Sequence, residues 1–132
     1  MILVDSSVWI DYFNGKITPQ TEWLDSALGK EVIVMGDIIL AEVLQGFKSD
    51  RDFHKAKSLL LNFPFLEMLG QKIAIKSAKN YRYLRKMGVT VRKTIDVIIG
   101  SFCIHQNISL LHDDQDFEPL TEHLKLNSIK CR

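Results

Sequence analysis

Only two cysteines, Cys103 and Cys131, occur in the 132 residues, and they fit neither a disulfide framework nor a zinc-ligand spacing. Cys103 lies in an apolar helical run and reads as a small core residue. No apolar run approaches the length of a membrane span. The opening MILVDSS lacks a basic segment and soon reaches Asp5, which argues against a secretory signal. A cytoplasmic protein is the expectation. Internal repeats, low-complexity stretches and linkers are also missing, so residues 1–132 read as one domain with a core of its own. The net charge of +1 argues neither for nor against a nucleic-acid partner. A further absence is local. Between Glu67 and Asp96 there is no acid, while Lys72, Lys76, Lys79, Arg82, Arg85, Lys86, Arg92 and Lys93 crowd that stretch.

The chain does contain short apolar β-type runs alternating with helical patterns. Strands are expected at Ile2–Val4, Val32–Met35, Phe65–Leu69, Ser109–Leu111 and Leu126–Ile129. Helices are expected from Ser6 to the Asn14-Gly15 stop, from Pro19 to Leu28, and from the Gly36-Asp37 turn to Phe47. Further helices run from Asp50 or Asp52 toward Leu61, from Gln71 to Met87, from Ile95 to Gln106 behind a Thr94 cap, and from Gln115 to His123. Continuous apolar strands alternating with helices imply an α/β three-layer sandwich around a mostly parallel sheet of 4–5 strands.

Four acids interrupt apolar segments of this pattern: Asp5 in ILVDSSVWI, Glu42 in IILAEVLQGF, Asp96 in TIDVIIGSFCI and Asp114 in SLLHDDQDF. A charge embedded in this way is costly unless it is paired or coordinates a metal. In a parallel α/β sheet, strand C-termini and the N-termini of the following helices share one edge, where ligands bind. Asp5 and Asp114 follow strands, and Asp96 opens a helix that leads into the strand at Leu110. Glu42 lies about one turn into the helix after the second strand. Each acid also has a structural reading. Asp5 and Asp114 can cap helices, and Asp96 can favour a helix N-terminus. Glu42 lies too far inside its helix to be a cap and has no cation among its helical neighbours. Together the four point to a shared cation. Oxygen donors without Cys or His suit Mg²⁺ or Mn²⁺, which activate water and clamp a phosphodiester for in-line attack.

In this order and spacing, MILVDSSVWIDYF, AEVLQGF, RKTIDVIIGSFCI and LLHDDQDF resemble a PIN-domain ribonuclease of the VapC toxin type. The resemblance runs from Asp5 to Phe117. It implies a PIN-like sandwich and an Mg²⁺/Mn²⁺-dependent endoribonuclease toxin of a type II toxin–antitoxin system, cleaving tRNA or rRNA. It implies a VapB-like antitoxin as partner, a homodimer, and a toxin–antitoxin hetero-oligomer. On the family pattern Asp5, Glu42, Asp96 and Asp114 are the catalytic and metal-binding acids. Asp116, the second acid of the closing D-x-D-F, stands behind Asp114 as the alternative fourth ligand. Ser6 stands where the family often has Thr, so Ser6 or Ser7 can hydrogen-bond a ligand carboxylate. His112 departs from the family's usual Thr or Ser, which leaves the surroundings of the fourth acid open.

The helix from Gln71 places Ile73, Ser77, Tyr81 and Leu84 on one face and Lys72, Lys76, Lys79 and Lys86 on the other, with Arg82 on the flank. A solvated outer face explains such a stripe. The lack of any acid for i,i+4 pairing also makes Lys79, Arg82 and Lys86 candidate RNA contacts. Arg92 and Lys93 are candidates on different grounds, lying just before Asp96. Tyr12, Phe13, Leu44 and Phe47 are candidates for an antitoxin groove.

Two other function classes compete. A non-catalytic PIN-like module binding RNA or protein would gain nothing from four costly acids on one rim. A phosphotransfer enzyme of the haloacid-dehalogenase type would want Asp at position 7, where Ser7 stands. A receiver domain would want an early acidic pair and a late Lys, and neither is evident.

Overall fold

A computed structural model describes residues 1–131. Its first strand, β1 (Ile2–Val4), is short because Asp5 ends it, yet Leu3 and Val4 are fully buried. Burying an aliphatic side chain of this size contributes about 1.5–3 kcal/mol, so three such residues anchor the strand despite its length. The chain then alternates: α1 (Ser6–Phe13), α2 (Pro19–Ala27), β2 (Ile33–Gly36), α3 (Asp37–Leu44), α4 (Asp50–Leu60) and β3 (Phe65–Leu66). It continues through α5 (Gln71–Lys86), α6 (Thr94–Gln106), β4 (Ser109–Leu111), a 3-10 turn (Gln115–Phe117) and α7 (Glu118–Leu124).

The sheet is parallel throughout, with strand order β3-β2-β1-β4. β1 therefore lies between β2 and the last strand, pairing Leu3 with Val34 on one side and with Leu110 on the other. Sequence order reverses between β1 and β4, and the crevice beyond the carboxyl ends of such strands is where this sheet type binds ligands. The expected α/β sandwich and its mostly parallel sheet are observed.

α6 is buried on nearly every side, through Val97, Ile99, Gly100, Ser101, Phe102 and Cys103. A helix apolar all round belongs in the core, and Cys103 takes the small packing role expected of it. Gly100 makes this placement possible, because a Cβ there would collide with the Leu120 side chain of α7. On α5, Ile73, Ser77 and Leu84 face inward as the helical period requires, and Lys72, Lys76, Lys79, Arg82 and Lys86 are exposed.

Several element boundaries differ from the sequence expectation. α3 stops at Leu44 and not Phe47, and the helix expected over Gln115–His123 is a 3-10 turn followed by α7. Three further differences have a visible local cause. Thr94 does not cap α6; it is the first helical residue, and Lys93, extended at φ −115° and ψ 119°, occupies the cap without a side-chain cap hydrogen bond. The Lys93 side chain is instead drawn toward carboxylates, as described below. Leu126–Ile129 does not form a full strand. Only Ser128 bridges to Leu110, held by Leu110 N–H to Asn127 O and Ile129 N–H to Leu110 O. Asn127 and Ser128 spend their side chains on Ser109, His112 and Thr121, so this segment works as a strap. β3 spans only two residues, because the Asp37 carboxylate accepts the Met68 N–H at 3.0 Å and turns the chain away from the sheet.

Candidate metal centre

Asp5 is placed by the end of β1, where its N–H donates to Leu111 O of β4 at 2.8 Å. Its carboxylate also caps α1: Oδ2 accepts the Ser7 N–H at 3.1 Å and the Ser7 hydroxyl at 2.6 Å. Asp5 is 3% exposed, so burial pushes its pKa above the usual carboxylate value, while the two bonds from Ser7 pull the other way. Capping and ligation are thus compatible, since both capping bonds fall on one oxygen.

Asp96 sits in the first turn of α6 and is 5% exposed. Its pKa is pushed up to about 7, first by burial and then by repulsion from Asp114 and Asp5, with Lys93 opposing. Its Oδ2 is buried without a hydrogen-bond partner, and so is Oδ2 of Asp116. A buried carboxylate oxygen left unmatched costs free energy unless something else binds it.

Asp114 follows β4 and opens the 3-10 turn. Its Oδ1 accepts the Asp116 N–H at 2.9 Å, and its Oδ2 accepts from Lys93 Nζ at 3.2 Å. Desolvation pushes Asp114 up, but the Asp116 N–H and Lys93 outweigh it and hold its pKa below the ordinary value. Asp116 adds an ion pair to Arg92 at 3.5 Å. One oxygen each from Asp96, Asp114 and Asp116 lie within 4.8 Å of one another.

Glu42 comes from α3, half-buried, and accepts from the Ser6 hydroxyl at 3.2 Å. Burial and the Asp5 charge both raise its pKa, with Lys93 acting in the opposite sense. Ser6 and Ser7 therefore each hold one of the expected acids, Ser6 taking Glu42 and Ser7 taking Asp5.

The acids expected from sequence are thus electrostatically coupled to one another. The tightest oxygen set, however, includes Asp116, which the family pattern places behind Asp114. The signal available was the D-x-D spacing itself: a 3-10 turn capped by Asp114 returns residue 116 to the same side. Lys93, an RNA-contact candidate by sequence, is here a partner of the acids. His112 is buried on Phe117, with ring centroids 4.8 Å apart. Its Nδ1 accepts the Asp114 N–H at 3.3 Å, and Nε2 lies 3.0 Å from Ser128 Oγ. Burial lowers its pKa, so the neutral ring with the proton on Nε2 fits both contacts. His112 thus fixes the backbone of Asp114, whereas Ser7 binds the carboxylate of Asp5.

Does this donor set suit a hard divalent cation? It offers carboxylate oxygens only, two of them buried and unmatched, with no thiolate or imidazole among the acids. That is the donor chemistry of Mg²⁺ or Mn²⁺ and not of zinc.

The PIN-domain family model matches residues 2–122. The chain belongs to the PIN-domain family. Ribonuclease VapC11 of Mycobacterium tuberculosis is 28% identical to this PIN domain, and the match covers 100% of both chains. Among solved structures, FitAcB from Neisseria gonorrhoeae superposes with a TM-score of 0.77 at 18% identity, covering 98% of this chain and 97% of the other. VapBC2 from Rickettsia felis, bound to a promoter DNA fragment, gives 0.76 at 17% identity and 98% coverage of each chain. VapC20 of M. tuberculosis, a sarcin-ricin-loop-cleaving toxin, gives 0.65 at 15% identity, covering 89% of this PIN domain and 93% of that chain. These likenesses establish the fold. Among the described residues, no helix is long and apolar enough to cross a membrane.

Proposed function

We propose that this PIN domain is the toxin of a toxin–antitoxin pair, an Mg²⁺- or Mn²⁺-dependent endoribonuclease that hydrolyses RNA phosphodiester bonds. The observation that carries the reading is the pair of buried, unmatched oxygens on Asp96 and Asp116, beside Asp114 at the carboxyl edge of the sheet. Full-length similarity to a VapC ribonuclease supports the reaction class.

In this reading Asp96, Asp114 and Asp116 hold the ion, and Asp5 and Glu42 complete the acidic set. Whether Asp114 or Asp116 counts as the fourth ligand becomes secondary, because both reach the same space. A bound ion lowers the pKa of a water and neutralises charge on the phosphodiester. Ser7 and His112 keep Asp5 and Asp114 in place, and the buried walls around Asp5 and Asp96 strengthen the local field. Arg92 and Lys93 lie at the rim for the RNA backbone. The exposed Lys79, Arg82 and Lys86 of α5 extend that basic surface, and Arg82 lines a cleft that also includes Thr94, Val97 and Ile98 of α6. Phosphate contacts of this kind give salt-dependent affinity with little sequence preference. The whole of residues 1–132 serves as one catalytic unit, acting on tRNA or rRNA in the cytoplasm.

The antitoxin is a VapB-like protein that forms a hetero-oligomer with the toxin. Structures of such complexes are among the similar folds. A cleft of ≈ 600 Å³ between Phe13, Phe47, Ala56 and Leu59, edged by Lys48, Asp52 and Lys55, suits an amphipathic segment. Phe13 and Phe47 thus line one groove. Tyr12 is turned to Asp25, to which its hydroxyl donates at 2.8 Å, and Leu44 packs against the core. Homodimerisation belongs to the same reading, and light scattering of the purified toxin tests it.

The deciding experiment is cleavage of a panel of purified tRNAs and rRNA with and without EDTA. We expect cleavage only with metal, and loss of it in a folded Asp96→Asn variant. RNA binding that is indifferent to EDTA and yields no product would instead establish the non-catalytic module.

A further inference from the structure

Lys93 reaches all three close-set carboxylates. Its Nζ lies 3.2 Å from Asp114 Oδ2, 3.8 Å from Asp116 Oδ2 and 3.9 Å from Asp96 Oδ2. Only the first of these is a hydrogen bond. The other two oxygens are the buried pair without partners, so the ammonium neutralises the cluster without satisfying it. An N–H···O contact needs roughly 2.8–3.0 Å per oxygen, whereas a small divalent ion binds oxygen at about 2.1 Å. One ammonium cannot pull three oxygens to bonding distance from its present place, and a doubly charged smaller ion can.

Lys93 is also free to leave. It sits in the extended residue just ahead of α6 and makes no cap hydrogen bond, and its side chain is 53% exposed. Arg92 differs, since its guanidinium pairs with Asp116 alone and its side chain is 79% exposed.

We propose that Lys93 is a tethered counter-cation that competes with the divalent ion for the Asp96, Asp114 and Asp116 oxygens. It holds the acids together in the metal-free protein and sets ion affinity below what those acids alone would give. This rests on the metal-site reading above, though not on RNA cleavage. Displaced Lys93 moves outward to the rim, where a substrate phosphate replaces the carboxylates as its partner. Ion and RNA backbone then favour one another's binding, because the ion frees Lys93 for the phosphate and the phosphate draws Lys93 off the acids.

The test is Mn²⁺ binding to the full chain, followed by calorimetry and by the loss of the free-ion paramagnetic resonance signal. Lys93→Gln should bind Mn²⁺ roughly two- to fivefold more tightly than the parent, the scale of one lost ion pair of this exposure. Its metal-free melting temperature should fall while the rise on adding Mn²⁺ grows. Arg92→Gln removes the same charge one residue away and should change affinity by less than half as much on a logarithmic scale. Unchanged or weaker Mn²⁺ binding by Lys93→Gln would overturn the proposal, and so would equal effects of the two variants. If the parent cleaves RNA with metal while Lys93→Gln binds Mn²⁺ no better, only this inference fails. If neither parent nor variant binds Mn²⁺ at millimolar concentration, the metal site fails with it.

Discussion

Ser7 accepts the backbone N–H of Asp113 at 3.2 Å while its own hydroxyl proton goes to Asp5 at 2.6 Å. One hydroxyl, 106 residues before Asp113 in the chain, therefore ties the loop after β4 to the carboxylate that ends β1. Ser7→Ala removes both bonds and leaves a buried acid under-satisfied. We expect a loss of roughly 1–3 kcal/mol in urea denaturation and weaker Mn²⁺ binding. Ser7→Thr, which keeps the hydroxyl, should retain most of both. Equal damage from the two variants would count against the tie.

Asp96 makes metal-free stability depend on pH. Its folded pKa of about 7 lies above the ordinary carboxylate value of 3.8, so between those limits the folded chain binds more protons than the unfolded one. Stability is then highest at the acid end of the window and is lost as pH rises through about 7. Asp5 and Glu42, also raised, act in the same sense, and Asp114, lowered, acts against them. Melting temperature followed from pH 5 to 8 should fall with EDTA and fall less with Mn²⁺. Asp96→Asn should flatten the EDTA curve and sit above the parent at pH 8.

His112 imposes the opposite slope at low pH. Its pKa is lowered by burial, so the folded chain resists protonation and stability is lost as pH falls below the ordinary histidine value. His112→Ala should remove that slope. It should also cost roughly 2–3 kcal/mol, through lost packing on Phe117 and an unpaired Asp114 N–H. The pH slope measured in EDTA for parent and variant separates the titration from the packing loss.

Phe47 packs edge-on against Phe13, 5.6 Å between centroids, at the opposite end of α1 from its Asp5 cap. Phe47→Ser should weaken binding of the cognate antitoxin by on the order of tenfold or more, as expected of an aromatic anchor. RNA cleavage by the free toxin should be unaffected. Pull-down and cleavage assays on the same preparation check both halves.

Much of this arrangement is written in local sequence. Asp5, Asp96 and Asp114 stand at strand ends or a helix start that the apolar pattern marks, so a parallel sheet alone brings them near one edge. The sequence offers Ser6 or Ser7 as a partner for a ligand carboxylate without saying which acid each takes; packing assigns Ser6 to Glu42 and Ser7 to Asp5. What local pattern does not carry is competition between partners. Thr94 reads as a cap because cap propensity is local, but Lys93 takes the position once distant carboxylates attract its side chain. Leu126–Ile129 has strand composition, yet Ser128 is spent on His112 and Thr121, contacts invisible until β4 and α7 pack. Asp116 ranked second because a 3-10 turn, unlike an α-helix, has no strong periodic signature.

The position of β1 between β2 and β4 also governs when the acids can meet during synthesis. Asp5 and Glu42 leave the ribosome early, but Asp96, Asp114 and Asp116 belong to the last third of the chain, and β4 must insert beside β1 to bring them in. A nascent chain released short of Leu111 carries an incomplete acidic set with no strand to align it. Strand order therefore makes the full acidic set one of the last features of the chain to assemble.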